Sequence, residues 1–260
     1  MIRRGGIERL GCLRRYQQAS SPGKLRLICF PSAGSGASQC RRLSHALPDY
    51  IQTWVVQLPG REDRLGEPAL KRMEDIVSHV VEDLRTLSDL PIAFFGHSMG
   101  AMVAYEVATA IRDKFARILL SLIMSGHGAP HSPPAGNRCH HSAEDGAFIG
   151  DLSRLGGTPQ ALLEDRAMLD ILLPAVRADY EVMDHYIAVK QKPFACPLIA
   201  CAGNSDSEVS PSSLAAWGDY TEADFESCWF QGGHFYLNEQ FELLAKKIRE
   251  WTTPHLLMPS

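Results

Sequence analysis

The sequence predicts one α/β domain on a mostly parallel, doubly wound sheet, interrupted by a helical insertion. Three observations carry this expectation. Apolar strand-like runs alternate with helical-period segments through the first half of the chain. The alternation stops between His131 and Tyr186, where there is no strand candidate, and it resumes at Pro197. At 260 residues, 45% hydrophobic and 22% charged, the chain can bury a large core, which excludes disordered and fibrous classes.

Residues 1–23 are polar, carry Gly5, Gly6, Pro22 and Gly23, and read as a loosely held terminus; residues 24–255 are assigned to the domain itself. Residues 25–30 (LRLICF) form the first strand and run into Pro31-Ser32-Ala33-Gly34-Ser35-Gly36, a turn with open backbone N–H groups. A helical segment over 38–47 precedes a second strand over 54–58, which Pro59-Gly60 ends. The run Arg61-Glu62-Asp63-Arg64 that follows is expected to be a solvated loop with internal ion pairs, the alternative being a role in positioning the substrate entrance. Residues 73–87 place Met73, Ile76, Val77, Val80, Val81 and Leu84 at helical spacing. A strand over 92–95, a helix over 101–112 and a strand over 118–124 come next.

The insertion, residues 131–186, begins with Pro133-Pro134-Ala135-Gly136 as a hinge and turns helical around 148–155, 161–163 and 168–186. Arg177 and Asp179 lie two apart on the last of these, face different directions and should not pair with each other. Strands over 197–202 and 228–230 and a helix over 240–251 complete the domain.

Chemistry centres on Gly96-His97-Ser98-Met99-Gly100, which lies between a strand and a small-residue helix. A serine hydroxyl is a weak nucleophile at neutral pH and must be held clear of the backbone beside a base. A sharp strand-to-helix turn does this, and its glycines remove the side chains that would collide. Enzymes built on such an elbow place their triad in the chain order serine, acid, histidine. His234, in Gly232-Gly233-His234-Phe235 between the last strand and the last helix, is the natural base. Asp206 directly follows strand 197–202 and is the natural acid, with Glu208 its nearest rival. The oxyanion donors are expected to be the backbone N–H groups of Met99, after the nucleophile, and Ala33, after the first strand. His97 should leave the turn on the other side and pack.

Net charge is −4 with no long basic run, which argues against a nucleic-acid partner. The arginines near the start lack the apolar run of a secretory signal, and no stretch approaches a membrane span. Seven scattered cysteines form no disulfide framework, and no metal-ligand spacing occurs. The expectation is a cytoplasmic, metal-free monomer.

Several segments carry a more specific likeness: Cys29-Phe30-Pro31-Ser32-Ala33-Gly34-Ser35, Gln57-Leu58-Pro59-Gly60-Arg61-Glu62-Asp63-Arg64, Leu155-Gly156-Gly157-Thr158-Pro159 and Leu173-Pro174-Ala175-Val176-Arg177-Ala178-Asp179-Tyr180. With the elbow and the Gly203–Ser210 and Gly232–Phe235 stretches, the chain resembles the type II thioesterases of modular polyketide and nonribosomal peptide synthetases, members of the α/β-hydrolase superfamily. The resemblance implies Ser98, Asp206 and His234 as triad and residues 131–186 as a helical lid. It implies hydrolytic removal of aberrant acyl groups from the phosphopantetheine arms of acyl- or peptidyl-carrier domains. No cofactor of the enzyme's own is implied, because the arm belongs to the substrate. Leu172 and Leu173 are candidates for the wall of an acyl channel. Ser32 and Ser207 depart from the family's common histidine and proline, and neither change removes a catalytic atom. Alternatives are a medium-chain fatty acyl thioesterase or a carboxylesterase of the same fold. A non-catalytic carrier-binding scaffold is a further alternative, against which the intact triad argues.

Overall fold

Three runs, Leu25–Phe30, Ile92–His97 and Leu198–Gly203, bury every one of their residues. Strands buried on both faces need helices on both sides, and that requirement organises the fold. The computed structural model describes residues 2–4, 6–17, 22–87, 90–115, 118–133 and 140–256. In chain order the elements begin with β1 (Ile2–Arg4), β2 (Ile7–Leu10), β3 (Leu13–Arg15), β4 (Leu25–Phe30), α1 (Arg41–Ala46), β5 (Ile51–Val56) and α2 (Met73–Leu84). The elbow lies between β6 (Ile92–His97) and α3 (Met99–Phe115), and β7 (Leu119–Ser125) follows. The insertion contributes α4 (Asp145–Leu155), α5 (Gln160–Leu163) and α6 (Arg166–His185). The chain closes with β8 (Leu198–Gly203), α7 (Pro211–Ala215), β9 (Phe225–Phe230) and α8 (Phe241–Leu256).

The nine strands among the described residues form one sheet in the order β1-β2-β3-β5-β4-β6-β7-β8-β9, parallel from β5 to β9. Strand order reverses at β4, whose neighbours are β5 and β6, so the crevice at the carboxyl ends of β4 and β6 is a topological switch point. Register brings those ends level: Phe30 faces Gly96, and His97 faces Ser125. One core cluster joins the sheet to α2 and α3 through residues such as Ile76, Met102 and Tyr105. A second joins its other face to α1 and α8 through Leu43, Leu244 and Ile248. The insertion has a small core of its own around Phe148, Leu169 and Tyr180. Among the described residues no helix is long and apolar enough to cross a membrane.

The reading of residues 1–23 as a loose terminus is corrected for residues 7–15. Strand β3 pairs antiparallel with β5, Leu13 opposite Val56, and residues 12–15 are all buried. Polar groups of this segment have partners far along the chain. Arg14 Nε lies 3.0 Å from Asp63 Oδ2, and the Cys12 backbone N–H donates to Asp83 Oδ2 at 2.6 Å. Paired in this way, a polar strand can be buried at the sheet's margin. In the hinge expected over Pro133-Pro134-Ala135-Gly136, all but Pro133 lie outside the described residues.

Candidate active site

Ser98 sits between the last residue of β6 and the first of α3 with φ at 57°. This left-handed conformation is strained for any residue but glycine and typifies sites where strain serves function. The turn is tight enough that a Cβ on Gly96 would collide with the Gly100 carbonyl, and one on Gly100 with the Phe30 carbonyl. The Ser98 backbone N–H donates to the Ser125 carbonyl at 2.8 Å, which fixes the turn to β7.

His234 Nε2 lies 2.9 Å from Ser98 Oγ, and its Nδ1 lies 2.9 Å from Asp206 Oδ2. The second Asp206 oxygen accepts the Glu208 backbone N–H at 2.9 Å. An ionised carboxylate only accepts, so Nδ1 carries the proton and Nε2 is left to accept from the serine hydroxyl. The structure thus brings Ser98, His234 and Asp206 into one relay, with His234 and Asp206 both buried. Glu208 is turned elsewhere, toward Arg154 of α4, whose Nη1 is 2.8 Å from its carboxylate.

His97 is fully buried behind the relay, its ring 5.2 Å from that of His234 and its Nδ1 2.9 Å from Ser125 Oγ. Burial, with His234 and His127 nearby, holds its pKa well below the usual histidine value, so it stays neutral and packs.

Ala33 and Met99 line the same cavity as Ser98. The neighbouring amides of the Ala33 loop are taken up by side chains: Ser32 N–H donates to Gln39 Oε1 (3.0 Å), Gly34 N–H to Asp179 Oδ2 (2.7 Å) and Ala37 N–H to Gln57 Oε1 (2.7 Å). The N–H groups of Ala33 and Met99 have no protein acceptor among the described residues.

The cavity measures about 690 Å³ and is roofed by α4, α5 and α6. Its wall includes seven leucines from these three helices, Leu172 and Leu173 among them. Each therefore narrows the cavity when enlarged. Leu172→Trp and Leu173→Trp are expected to shift the preferred chain length downward while short-chain turnover stays near wild type. Acyl-length profiles, read with thermal midpoints, check this, and unchanged profiles in two stably folded variants would refute it.

Among the described residues, His140, His141 and Asp184 bring one potential ligand atom each within 4.8 Å of one another. Asp184 Oδ2 also accepts the His141 backbone N–H at 2.8 Å, so the cluster fastens this loop to α6.

The thioesterase-domain family model matches residues 25–252. The chain belongs to the thioesterase family. This thioesterase is 40% identical over 241 residues to the gramicidin S biosynthesis protein GrsT of Aneurinibacillus migulanus, across 91% of this chain and 94% of that protein. It is 35% identical to the thioesterase PikA5 of Streptomyces venezuelae, across 95% of this chain and 85% of the relative. Among solved structures, the type II thioesterase BorB from the borrelidin biosynthetic cluster superposes with a TM-score of 0.83 at 33% identity, covering 94% of this chain and 97% of that one.

The reading of Arg61-Glu62-Asp63-Arg64 as a solvated loop with internal ion pairs holds for the exposure of Glu62 and Asp63 and is corrected for Arg61 and for the pairing. Arg61 is only 5% exposed and grips Asp179, 0% exposed, through both Nη atoms, with Nη2 2.9 Å from Oδ1. The other three side chains also bond outside the run, Asp63 to Arg14, Arg64 to Glu67 and Glu62 to Ser38. Arg177 pairs with Asp145 at 2.8 Å rather than with Asp179, so the two face apart as their spacing requires. A signal for Asp179 was present in the sequence. It stands three residues after Val176 on the stripe of Leu169, Leu173, Val176 and Tyr180 that packs inward, and a carboxylate there needs a buried cation.

Proposed function

We propose that this thioesterase is a type II editing enzyme that hydrolyses acyl thioesters from the phosphopantetheine arms of acyl- or peptidyl-carrier domains in polyketide or nonribosomal peptide synthesis. The observation that carries the reading is the Ser98–His234–Asp206 relay at the floor of an apolar cavity roofed by the helical insertion. The likeness to GrsT, PikA5 and BorB, which span almost the same length, supports the biosynthetic setting.

Ser98 Oγ attacks the thioester carbonyl carbon as His234 Nε2 takes the hydroxyl proton. The oxyanion is held by the N–H groups of Ala33 and Met99, and Asp206 stabilises the imidazolium. Collapse expels the pantetheine thiolate, a good leaving group, which recovers the proton from His234. Water then adds to the acyl-enzyme, with His234 again taking the proton, and the free acid departs as Ser98 is regenerated. The chemistry needs no cofactor of the enzyme's own. Helices α4, α5 and α6 of the insertion act as the lid, and an arm reaching in from a carrier surface would pass beneath them. The described cysteines are all unpaired, which fits action in the reducing cytoplasm.

The test compares acyl-pantetheine thioesters with oxygen esters of matched chain length. Thioesters are expected to be the faster substrates, with a fluorophosphonate labelling Ser98 stoichiometrically. Faster turnover of the oxygen esters would make the protein a carboxylesterase, and a folded protein that neither labels nor hydrolyses would make it a scaffold.

A further inference from the structure

We propose that Asp179, gripped by Arg61, is a positioning residue that sets the Ala33 oxyanion donor and couples it to the lid. This inference rests on the assignment of the Ala33 N–H as an oxyanion donor. Asp179 lies on α6, and Arg61 is 118 residues away on the loop after β5. One carboxylate oxygen accepts from Arg61 and from the Gly34 N–H at 2.7 Å, and the other accepts from Arg61 Nη2 at 2.9 Å.

The Gly34 N–H belongs to the peptide plane just after the one bearing the Ala33 N–H. On the other side, Gln39 Oε1 holds the Ser32 N–H at 3.0 Å and so fixes the preceding plane. The peptide that carries the donor is therefore held between two clamped planes, and with two soft dihedrals per residue it has little freedom left. Gly34 adds a steric register. Its φ is +74°, and a Cβ there would strike the Val176 side chain of α6, so the loop and the helix touch directly as well as through Asp179.

A buried ion pair is poor evidence for stability, since apolar residues of similar volume often serve as well. An amide aimed at a developing charge, by contrast, depends on position. Loss of one such donor costs about 10²–10³-fold in turnover, and a misplacement of about 1 Å costs about 10²-fold. The clamp thus accounts for a charge pair where packing alone would favour leucine. It also means that the second half of α6 moves only with the Ala33 loop.

The test uses the full chain with Arg61→Met and Asp179→Leu combined, so that no charge is left buried alone. Four quantities are measured: kcat and KM for an acyl-pantetheine thioester, affinity for an acyl trifluoromethyl ketone, and affinity for the matching thioether. Ser98 Oγ adds to the ketone carbon to give a hemiketal oxyanion, whereas the thioether has no carbonyl and reports ground-state binding alone. The expected result is a fall of about 10–10²-fold in both kcat and ketone affinity, with KM and thioether affinity within about 2-fold of wild type. Gln39→Met, which loosens the other plane without touching a charge, should give a smaller loss of the same pattern. It serves as the test should the double variant fail to fold. Ketone affinity and kcat within about 2-fold of wild type in a folded variant would overturn the clamp, as would a parallel loss of thioether affinity. A wild-type protein that bound no ketone and cleaved no thioester would instead overturn the functional assignment.

Discussion

Ser98→Ala is expected to cut thioester turnover by about 10⁴–10⁶-fold and to abolish the acyl-enzyme, while the protein remains folded. The expectation follows from the elbow, which presents one hydroxyl 2.9 Å from the only imidazole in the relay. Alanine can occupy the same left-handed backbone, because the steric cost of φ at 57° is set by a Cβ that serine already carries. The proposed oxyanion donors and the cavity survive, so residual catalysis of about 10³–10⁴-fold over water should remain. Burst kinetics and mass spectrometry of the trapped acyl-enzyme measure the effect. A folded variant that kept most of its turnover would displace Ser98 as nucleophile.

The second large effect is expected at Asp206. Asparagine keeps the shape but can present its N–H₂ toward His234, which favours the tautomer with its proton on Nε2. That proton faces Ser98 Oγ and removes the base, at a cost of about 10⁴-fold in kcat. Glu208, two residues on, provides the contrast. It gives only its backbone N–H to Asp206, and its carboxylate pairs with Arg154, whose side chain is 40% exposed. Glu208→Gln removes a rim ion pair worth about 0–1 kcal/mol and should leave turnover within a few-fold of wild type. Reversal of the two effects would move the acid to Glu208.

Local chemistry made the three residues that meet in the relay readable in advance. A serine between two turn glycines, a carboxylate just past a buried strand and a histidine in a glycine loop each announce themselves within a few residues. Central strands such as β4 were equally plain, since both of their faces are apolar. β9 was legible only at its end, because its earlier residues lie on the exposed margin of the sheet and look like loop. What stayed hidden depends on partners distant in sequence. Arg14 and Arg61 look solvated until Asp63 and Asp179 are set beside them, and no periodicity reports a pair 118 residues apart. The terminal strands and the Arg61–Asp179 pair belong to that class.

The helical roof is one continuous stretch of chain, whereas the residues of the Ser98–His234–Asp206 relay come from loops spread around the sheet. Such a division suggests a cassette that could be exchanged to change acyl preference. The fastenings argue otherwise. Arg154 reaches out of the cassette to Ser207 and Glu208, Asp179 reaches to Arg61 and Gly34, and Val176 occupies the space that Gly34 leaves. A graft of residues 145–185 from a relative would therefore need compatible residues at 34, 61, 207 and 208. The residues at 207 and 208 directly follow Asp206 in its loop, and position 34 adjoins Ala33, so a graft that altered the acyl cavity would be expected to alter rate through the same few junctions.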